Sequence, residues 1–374
     1  MRLTYWKRDD GACGYYRVEL PLSTLTKHNK DVQTTRIMQG DTADRILKSF
    51  ESDIFIIPRM NEVVLLDTMK ELQRQGKKVV IDHDDDVFNI SPLSPHYEEH
   101  GTENVKITLK DGSILPLWED GKNIDLKKNR ERMETTKKAV EVADLITVTT
   151  DILADVYRRY NSNVAVLPNC IDTNIWKPLP LKETNEIRLF WAGGHSHYED
   201  WCLLTDVLPT IIKKYANVKL VLMGAKFDAT LRSIPQDRIE FHPWIHTMAY
   251  PYKVEILNPI IGIIPLQDTE FNRAKSPIKW VEMTSLGVPC VTSYVSPYKE
   301  IATENNGIFI EENDTEGWIK GISMLIEDRE WRNKIGSKAQ ETVNALFDIN
   351  KRYVDWYDTY SALIEGKYGR ANCN

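Results

Sequence analysis

The sequence predicts an α/β protein made of two Rossmann-like domains, and three observations predict it. Short apolar segments alternate with segments of helical periodicity from end to end, as in parallel sheets covered by helices. The alternation halts near the middle, in a stretch rich in Pro, Asn and Asp, and then starts again. The chain has 374 residues, too many for one ordinary core and suited to two.

In the first half, Arg2–Trp6, Asp53–Pro58, Lys78–Ile81 and Leu145–Thr149 read as strands, and Val164–Pro168 closes the set. Between them Val18–Lys27, Val63–Gln75 and Lys127–Val142 repeat apolar residues at steps of three and four, which marks helices. One segment breaks the rhythm. Val105, Ile107 and Leu109 alternate with polar residues, Asp111-Gly112 supplies a two-residue turn, and Ile114, Leu115 and Leu117 follow. That is a β-hairpin inserted at 104–118, either a lid or acceptor-binding arm or a decoration.

Asn169–Pro180 and Leu181–Asn185 show no periodicity and make the linker. Strands then follow at Ile187–Ala192, Val218–Met223, Ile239–Phe241, Ile260–Pro265, Pro289–Thr292 and Gly307–Ile310. Helices are expected at Trp201–Lys214, Ala249–Asn258, Ile278–Ser285 and Tyr298–Ala302. The tail reads as helices over Thr315–Ile326, Glu330–Phe347 and Ile349–Ile364, with Trp356, Tyr357 and Tyr360 more aromatic than a solvated helix requires. No internal repeat relates the halves. The expected division is an N-terminal domain over 1–172, a linker over 173–186, a C-terminal domain over 187–348, and a closing segment over 349–374 that packs back on the first domain.

Composition narrows the function. The hydrophobic fraction of 42% and charged fraction of 28% belong to a globular chain. No apolar run approaches the roughly 20 residues that span a bilayer, and no signal-peptide core follows Met1, so a cytoplasmic protein is expected. The five cysteines are odd in number and lack a C-x-x-C spacing, which argues against a disulfide framework and a structural zinc site. A net charge of −7 argues against general nucleic-acid binding. Within 127–138, Lys127, Lys128, Arg130, Arg132, Lys137 and Lys138 gather positive charge. A solvated helix face balanced by Glu131 and Glu134 is the favoured reading, a landing surface for an anionic acceptor or membrane the sharper one.

Four segments carry candidate chemistry. In Phe271–Glu282, Ser276 suits an N-cap and Pro277 the first helical position, so a helix begins where phosphate is attracted by free N–H groups and the helix dipole. Arg273 and Lys275 precede it and can add charge to a diphosphate, and Glu282 lies where a carboxylate can accept ribose hydroxyls. In Trp191–Asp200, Gly193 and Gly194 permit close backbone approach without the G-x-G-x-x-G spacing of dinucleotide binders. His195 and His197 in the same stretch lack a third metal ligand. In Gly11–Arg17, a glycine loop with Gly14, Tyr16 and Arg17 offers a flexible turn and a charge. Asp82–Asp86 crowds four carboxylates around His83, which bind acceptor hydroxyls or cap the next turn in preference to Mg²⁺ or Mn²⁺.

Val166-Leu167-Pro168-Asn169-Cys170-Ile171-Asp172, with Trp176 and Pro178 after it, looks like an interdomain "PNGID…F.P" segment. Ala143–Thr150 resembles the strand before it, and Val281–Val291 resembles "E-x-x-A-x-G-x-P-V-V". In this order over nearly the whole chain, the sequence resembles the retaining glycosyltransferases of the GT-B fold, family 4, the glycosyl transferases group 1. The resemblance implies two Rossmann-like domains facing each other across a cleft. It implies that Glu282 binds the donor ribose and that Lys275, Ser276, Pro277, Gly193 and Gly194 surround the diphosphate. It also implies that His83 faces the transferred sugar and that Trp244 and Ile245 meet the nucleobase. Two departures stand out. Ala274 occupies the place of the first of the family's paired glutamates, with Glu270 close enough in sequence to substitute. The Arg and Lys usual after the first strand of the second domain are replaced by a stretch holding His195 and His197.

The expected activity is sugar transfer from a nucleotide-diphosphate sugar to an acceptor glycan, lipid-linked glycan, protein or modified DNA, with retention. No cofactor is required, and Mg²⁺ or Mn²⁺ is not favoured. Gly14 is expected on the donor side, and Tyr16, Arg17, Asp84 and Asp85 on the acceptor side. His83, Lys275 and Arg273 are the candidates for chemistry. The alternatives are a metal-dependent transferase using Asp84–Asp86, a nucleotide-sugar epimerase of the same fold, and a non-catalytic binding module.

Overall fold

A computed structural model describes residues 1–8, 11–38, 41, 50–59, 62–109, 111–179, 185–311 and 314–368. Residues 180–184 of the expected linker and 369–374 of the expected closing segment lie outside the described residues. The chain forms two compact units. The first comprises Met1–Asn169, Ala274–Ser276 and Lys351–Asn374, the second Cys170–Arg273 and Pro277–Asn350.

The first unit is built on strands β1 (Arg2–Trp6), β2 (Gln33–Ile37), β3 (Ile54–Pro58) and β4 (Lys78–His83). A separate pair, β5 (Val105–Thr108) and β6 (Ile114–Trp118), precedes β7 (Leu145–Val148) and β8 (Val164–Val166). Six of them form one sheet in the order β2-β1-β3-β4-β7-β8, every neighbouring pair parallel. All five residues of β3 are buried, as a strand covered on both faces requires. The edge strand β2, Gln-Thr-Thr-Arg-Ile, has only one apolar residue and pairs only with β1, so periodicity did not announce it. Strand order reverses between β1 and β3, which opens a crevice at their carboxyl ends. The hairpin is present. Its base is anchored as Val105 and Trp118 pack on Tyr97, Ile124 and Leu126, whereas Ile114 near its tip is 63% exposed.

In the second unit, β9 (Ile187–Gly193), β10 (Val218–Gly224), β11 (Ile239–His242), β12 (Ile261–Ile264), β13 (Cys290–Ser293) and β14 (Ile308–Ile310) form a parallel sheet. Its order is β11-β10-β9-β12-β13-β14, with the reversal between β9 and β12. Trp191, Trp201 and Trp318 share its core with Leu189, Leu220 and Ile263. Two helical expectations are corrected. The helix expected at Trp201–Lys214 is two, Tyr198–Cys202 and Val207–Lys214, joined by a turn. Tyr298–Ala302 is a run of turns: Tyr298 N–H bonds to Val295 O and Ile301 N–H to Tyr298 O, three residues back in each case, so no helical ladder builds up. The last helix, Ile349–Ile364, contributes its residues from Lys351 onward to the first unit, with Trp356 and Tyr360 buried and Tyr353 stacked 4.5 Å from His28. Among the described residues no helix is long and apolar enough to cross a membrane.

Candidate active site

In the second unit the loops leaving β9, β10 and β11 converge. A Cβ placed on Gly193 would stand 2.6 Å from Cζ2 of the buried Trp191 and 2.9 Å from Nζ of Lys279, so a side chain there would have to displace the indole. Lys279 belongs to the first turn of the Ile278–Ser285 helix, and its Nζ lies 5.5 Å from the Trp191 ring centroid. Gly224 ends β10 with φ +96°, and a Cβ there would lie 2.5 Å from Gly193 O and 2.9 Å from Cε3 of Trp244. Ala225 N–H donates to Gly193 O at 2.8 Å, fixing the two loops together.

Trp244 is 51% exposed and stacks on Tyr250 at 5.5 Å, with Ile245 half-buried beside it. Tyr250 is buried, and its phenol is pushed well above its ordinary range first by burial and then by the Glu282 carboxylate. Glu282 is buried on the same helix, three residues after Lys279. A flat, half-exposed indole, a buried carboxylate and a glycine-lined ammonium thus surround one set of strand ends. That sequence of groups suits a base, a ribose and a phosphate.

The loop after β9 is tied to the loop after β12 by Asp200, a buried residue that accepts from Gln267 N–H and Asn272 Nδ2 at 2.9 Å and meets His197 Nδ1 at 2.7 Å. His197 is therefore held by this carboxylate, and the exposed His195 lies edge-on to Phe227 at 6.1 Å. The helix expected to start from Ser276 begins at Ile278, with Pro277 at the cap position and no side-chain cap. Ser276 does not cap it, because the proline ends the extended segment one residue later than the spacing suggests. Ser276 Oγ is buried without a hydrogen-bond partner. Arg273 pairs with Asp268 and points to the surface.

In the first unit the charged residues are largely consumed by one another. Arg17 is 3% exposed. It donates through Nε and Nη2 to Asp82 at 2.9 and 2.7 Å, and through Nη1 to Leu167 O and Asn169 Oδ1. Its expected place as an acceptor-binding charge is corrected: it is an internal tie, and Tyr16 and Gly14 are buried with it. Asp84 accepts from Arg59 at 2.6 and 2.9 Å, and Asp85 from the same guanidinium at 3.1 Å. Burial works against the Asp84 charge, but Arg59 outweighs it and holds the carboxyl below its usual range. Arg59 follows β3 in the left-handed region at φ +48°, an uncommon conformation for a side chain of its size. Asp86 accepts from Phe88 N–H and Asn89 Nδ2, capping the turn.

His83 is 1% exposed and stacks on Tyr157 at 4.6 Å. Neither ring nitrogen has a hydrogen-bond partner, and burial drives its pKa down to about 3. Ala274 is fully buried in the first unit's core, where its carbonyl accepts from Thr150 Oγ1. Lys275 Nζ lies 3.8 Å from Asp85. The residues sequence reasoning missed are Lys279, Gly224, Tyr250, Asp200 and Arg59. Of these, Lys279 was nearest to hand, three residues before Glu282 on the same helix face.

Comparison with known proteins bears on the fold and on the second unit's family. Residues 186–328 match the family model of glycosyl transferases group 1. That span holds every second-unit residue of the site described above. No curated protein matches the chain in sequence. Among solved structures, a sucrose-phosphate synthase of Thermosynechococcus elongatus superposes with a TM-score of 0.66 at 12% identity, over 98% of this chain and 99% of that one. Anabaena HepE, solved with UDP and glucose, gives 0.64 at 14% identity over 97% and 100%. A Listeria monocytogenes chain assigned as a UDP-N-acetylglucosamine 2-epimerase gives 0.55 at 11% identity over 97% and 96%. At these identities the likeness is one of fold, two Rossmann-like α/β domains of the GT-B type.

Proposed function

We propose that the chain is a glycosyltransferase whose second unit holds a nucleoside diphosphate sugar. The observation that carries this reading is the convergence of Gly193, Gly224, Trp244, Glu282 and Lys279 at the strand ends inside the segment that matches the family model. Trp244 offers a face for the base, Glu282 accepts the ribose hydroxyls, and the glycine loop admits the diphosphate. HepE, solved with UDP and glucose, supports a uridine nucleotide as the first candidate donor.

Cleaving the bond between the anomeric carbon and the diphosphate leaves negative charge on the departing oxygen. Groups fixed before the reaction stabilise that charge more in the transition state than before it. A protein base for inversion would need a pKa near the working pH. His83, down at about 3, is a weak base, and Asp84 is bound by Arg59. This favours retention, with the acceptor's proton passing to the departing phosphate oxygen on the same face of the sugar. The reading needs no metal ion, because Asp84 and Asp85 serve Arg59 and Asp86 serves its own turn.

The test is a panel of UDP-, GDP-, ADP- and dTDP-sugars incubated with the chain, with and without EDTA. Release of nucleoside diphosphate that survives EDTA supports the reading, and NMR of the new linkage reads the anomeric outcome. Conversion of the donor to an epimer with no diphosphate released would make the chain an epimerase.

A further inference from the structure

We infer that the second unit carries an anion site on the edge of its sheet opposite the candidate active site, and that it holds a small phosphate monoester. The site is a cavity of about 210 Å³ at the amino ends of β12 and β13. None of its residues is among the groups proposed to meet the nucleotide.

One wall is the helix Arg329–Leu346. Arg329, Arg332, Asn333, Ser337 and Gln340 line the cavity, and their steps of three and four residues place them on one face of that helix. The other wall is the pair of loops that enter β12 and β13, where Pro259, Ile260, Val288 and Pro289 present apolar surface. The two walls touch at Gly336, where a Cβ would stand 2.3 Å from Gly287 O, and this backbone contact fixes their spacing. Leu179, also in the lining, is tied to the second loop by donating its N–H to Leu286 O at 2.9 Å.

Charge decides the class of ligand. Among the described residues the lining holds two guanidiniums and no carboxylate. Arg332 is 9% exposed and donates through Nη1 to two neutral carbonyls, Leu325 O at 2.6 Å and Ile326 O at 3.3 Å. Nε and Nη2 remain as donors on a planar fork of the shape that suits a phosphate. Burial, and then the charge of Arg329, holds the Arg332 guanidinium below its ordinary pKa. Asp328 pulls the other way, but its carboxylate caps the helix by accepting from Trp331 N–H at 2.8 Å. Two cations that disfavour each other beside a cavity are both stabilised by an oxyanion bound there. The volume lies below the roughly 300–1,000 Å³ of pockets that take drug-sized ligands, too small for a nucleotide. The guanidiniums suit the phosphate, and the proline-rich loops suit a short carbon skeleton.

Calorimetric titration of the whole chain with inorganic phosphate and with glycerol 3-phosphate, at constant ionic strength, tests this. A second series adds saturating UDP, and glycerol serves as the uncharged control. Each anion should bind once per chain in both series, and glycerol should not bind. Arg332→Gln should weaken both anions by about 100-fold and Arg329→Gln by about 10-fold. Ser337→Tyr, at an exposed position on the same helix face, should fill the cavity and abolish binding, and it supplies the answer if Arg332→Gln fails to fold. Anion affinity unchanged in Arg329→Gln or Ser337→Tyr overturns the site, as does displacement of the anion by UDP. A wild-type chain that binds neither anion overturns it as well.

Discussion

The two units have the same kind of parallel sheet and furnish its carboxyl edge in opposite ways. The first unit's edge is a network of paired charges: Arg17 with Asp82, Arg59 with Asp84 and Asp85. The second unit's edge is glycine and indole, with one ammonium and one buried carboxylate: Gly193, Gly224, Trp191, Trp244, Lys279 and Glu282. A reversal of strand order says where a ligand crevice lies in each sheet but not what the crevice holds. Paired buried charges hold loops in one shape. An open glycine turn beside an exposed ring leaves backbone and a flat face uncovered.

The largest expected effect comes from breaking the first unit's network. Arg17→Met leaves Asp82 buried without its ion pair and should cost about 3–5 kcal/mol of stability by chemical denaturation. A loss under about 1 kcal/mol would mean that the network is ornamental. In the second unit, Gly224→Ala places a methyl group against Gly193 O and the Trp244 ring at a positive φ. It should weaken UDP binding by about 10- to 100-fold in a calorimetric titration. Unchanged affinity would separate that turn from the ligand.

A third effect is set by pH. Below about 6.5 the unfolded chain protonates His83, while the folded chain keeps it neutral down to about 3. The unfolded state thus binds the extra proton in that window, and stability falls as pH falls through it. His83→Gln should flatten the acid side of the stability profile by up to about 1.4 kcal/mol per pH unit. A slope unchanged between pH 6 and 4 would place the histidine in contact with water. The smallest effect is remote from both edges. Asp328 caps the Arg329–Leu346 helix by accepting from Trp331 N–H at 2.8 Å, and Asp328→Ala should cost about 1 kcal/mol without altering nucleotide binding.

What the sequence made legible follows the range of the forces involved. Ile54–Pro58 is a continuous apolar run and Ile187–Gly193 is one apart from Arg188, so burial writes both into the chain. Glu282 and Gly193 stood out as candidates because one lies in a motif-like segment and the other in a pair of glycines that follows an apolar strand. Arg17 was misread because its partner Asp82 lies 65 residues away, and a lone arginine after a glycine loop looks like a free charge. Arg59 escaped notice for the same reason, being joined to Asp84 from 25 residues off. Lys279 and Gly193 are 86 positions apart, and only the folded sheet brings them together. Gln33–Ile37 was missed because an edge strand need not be apolar.

The most direct test of the donor site is a crystal structure of the chain soaked with UDP. The account predicts the base against Trp244, the ribose hydroxyls on Glu282, and the two phosphates between the Gly193-Gly194 turn and the Lys279 ammonium. A nucleotide bound elsewhere, with those groups unchanged and unoccupied, would contradict it.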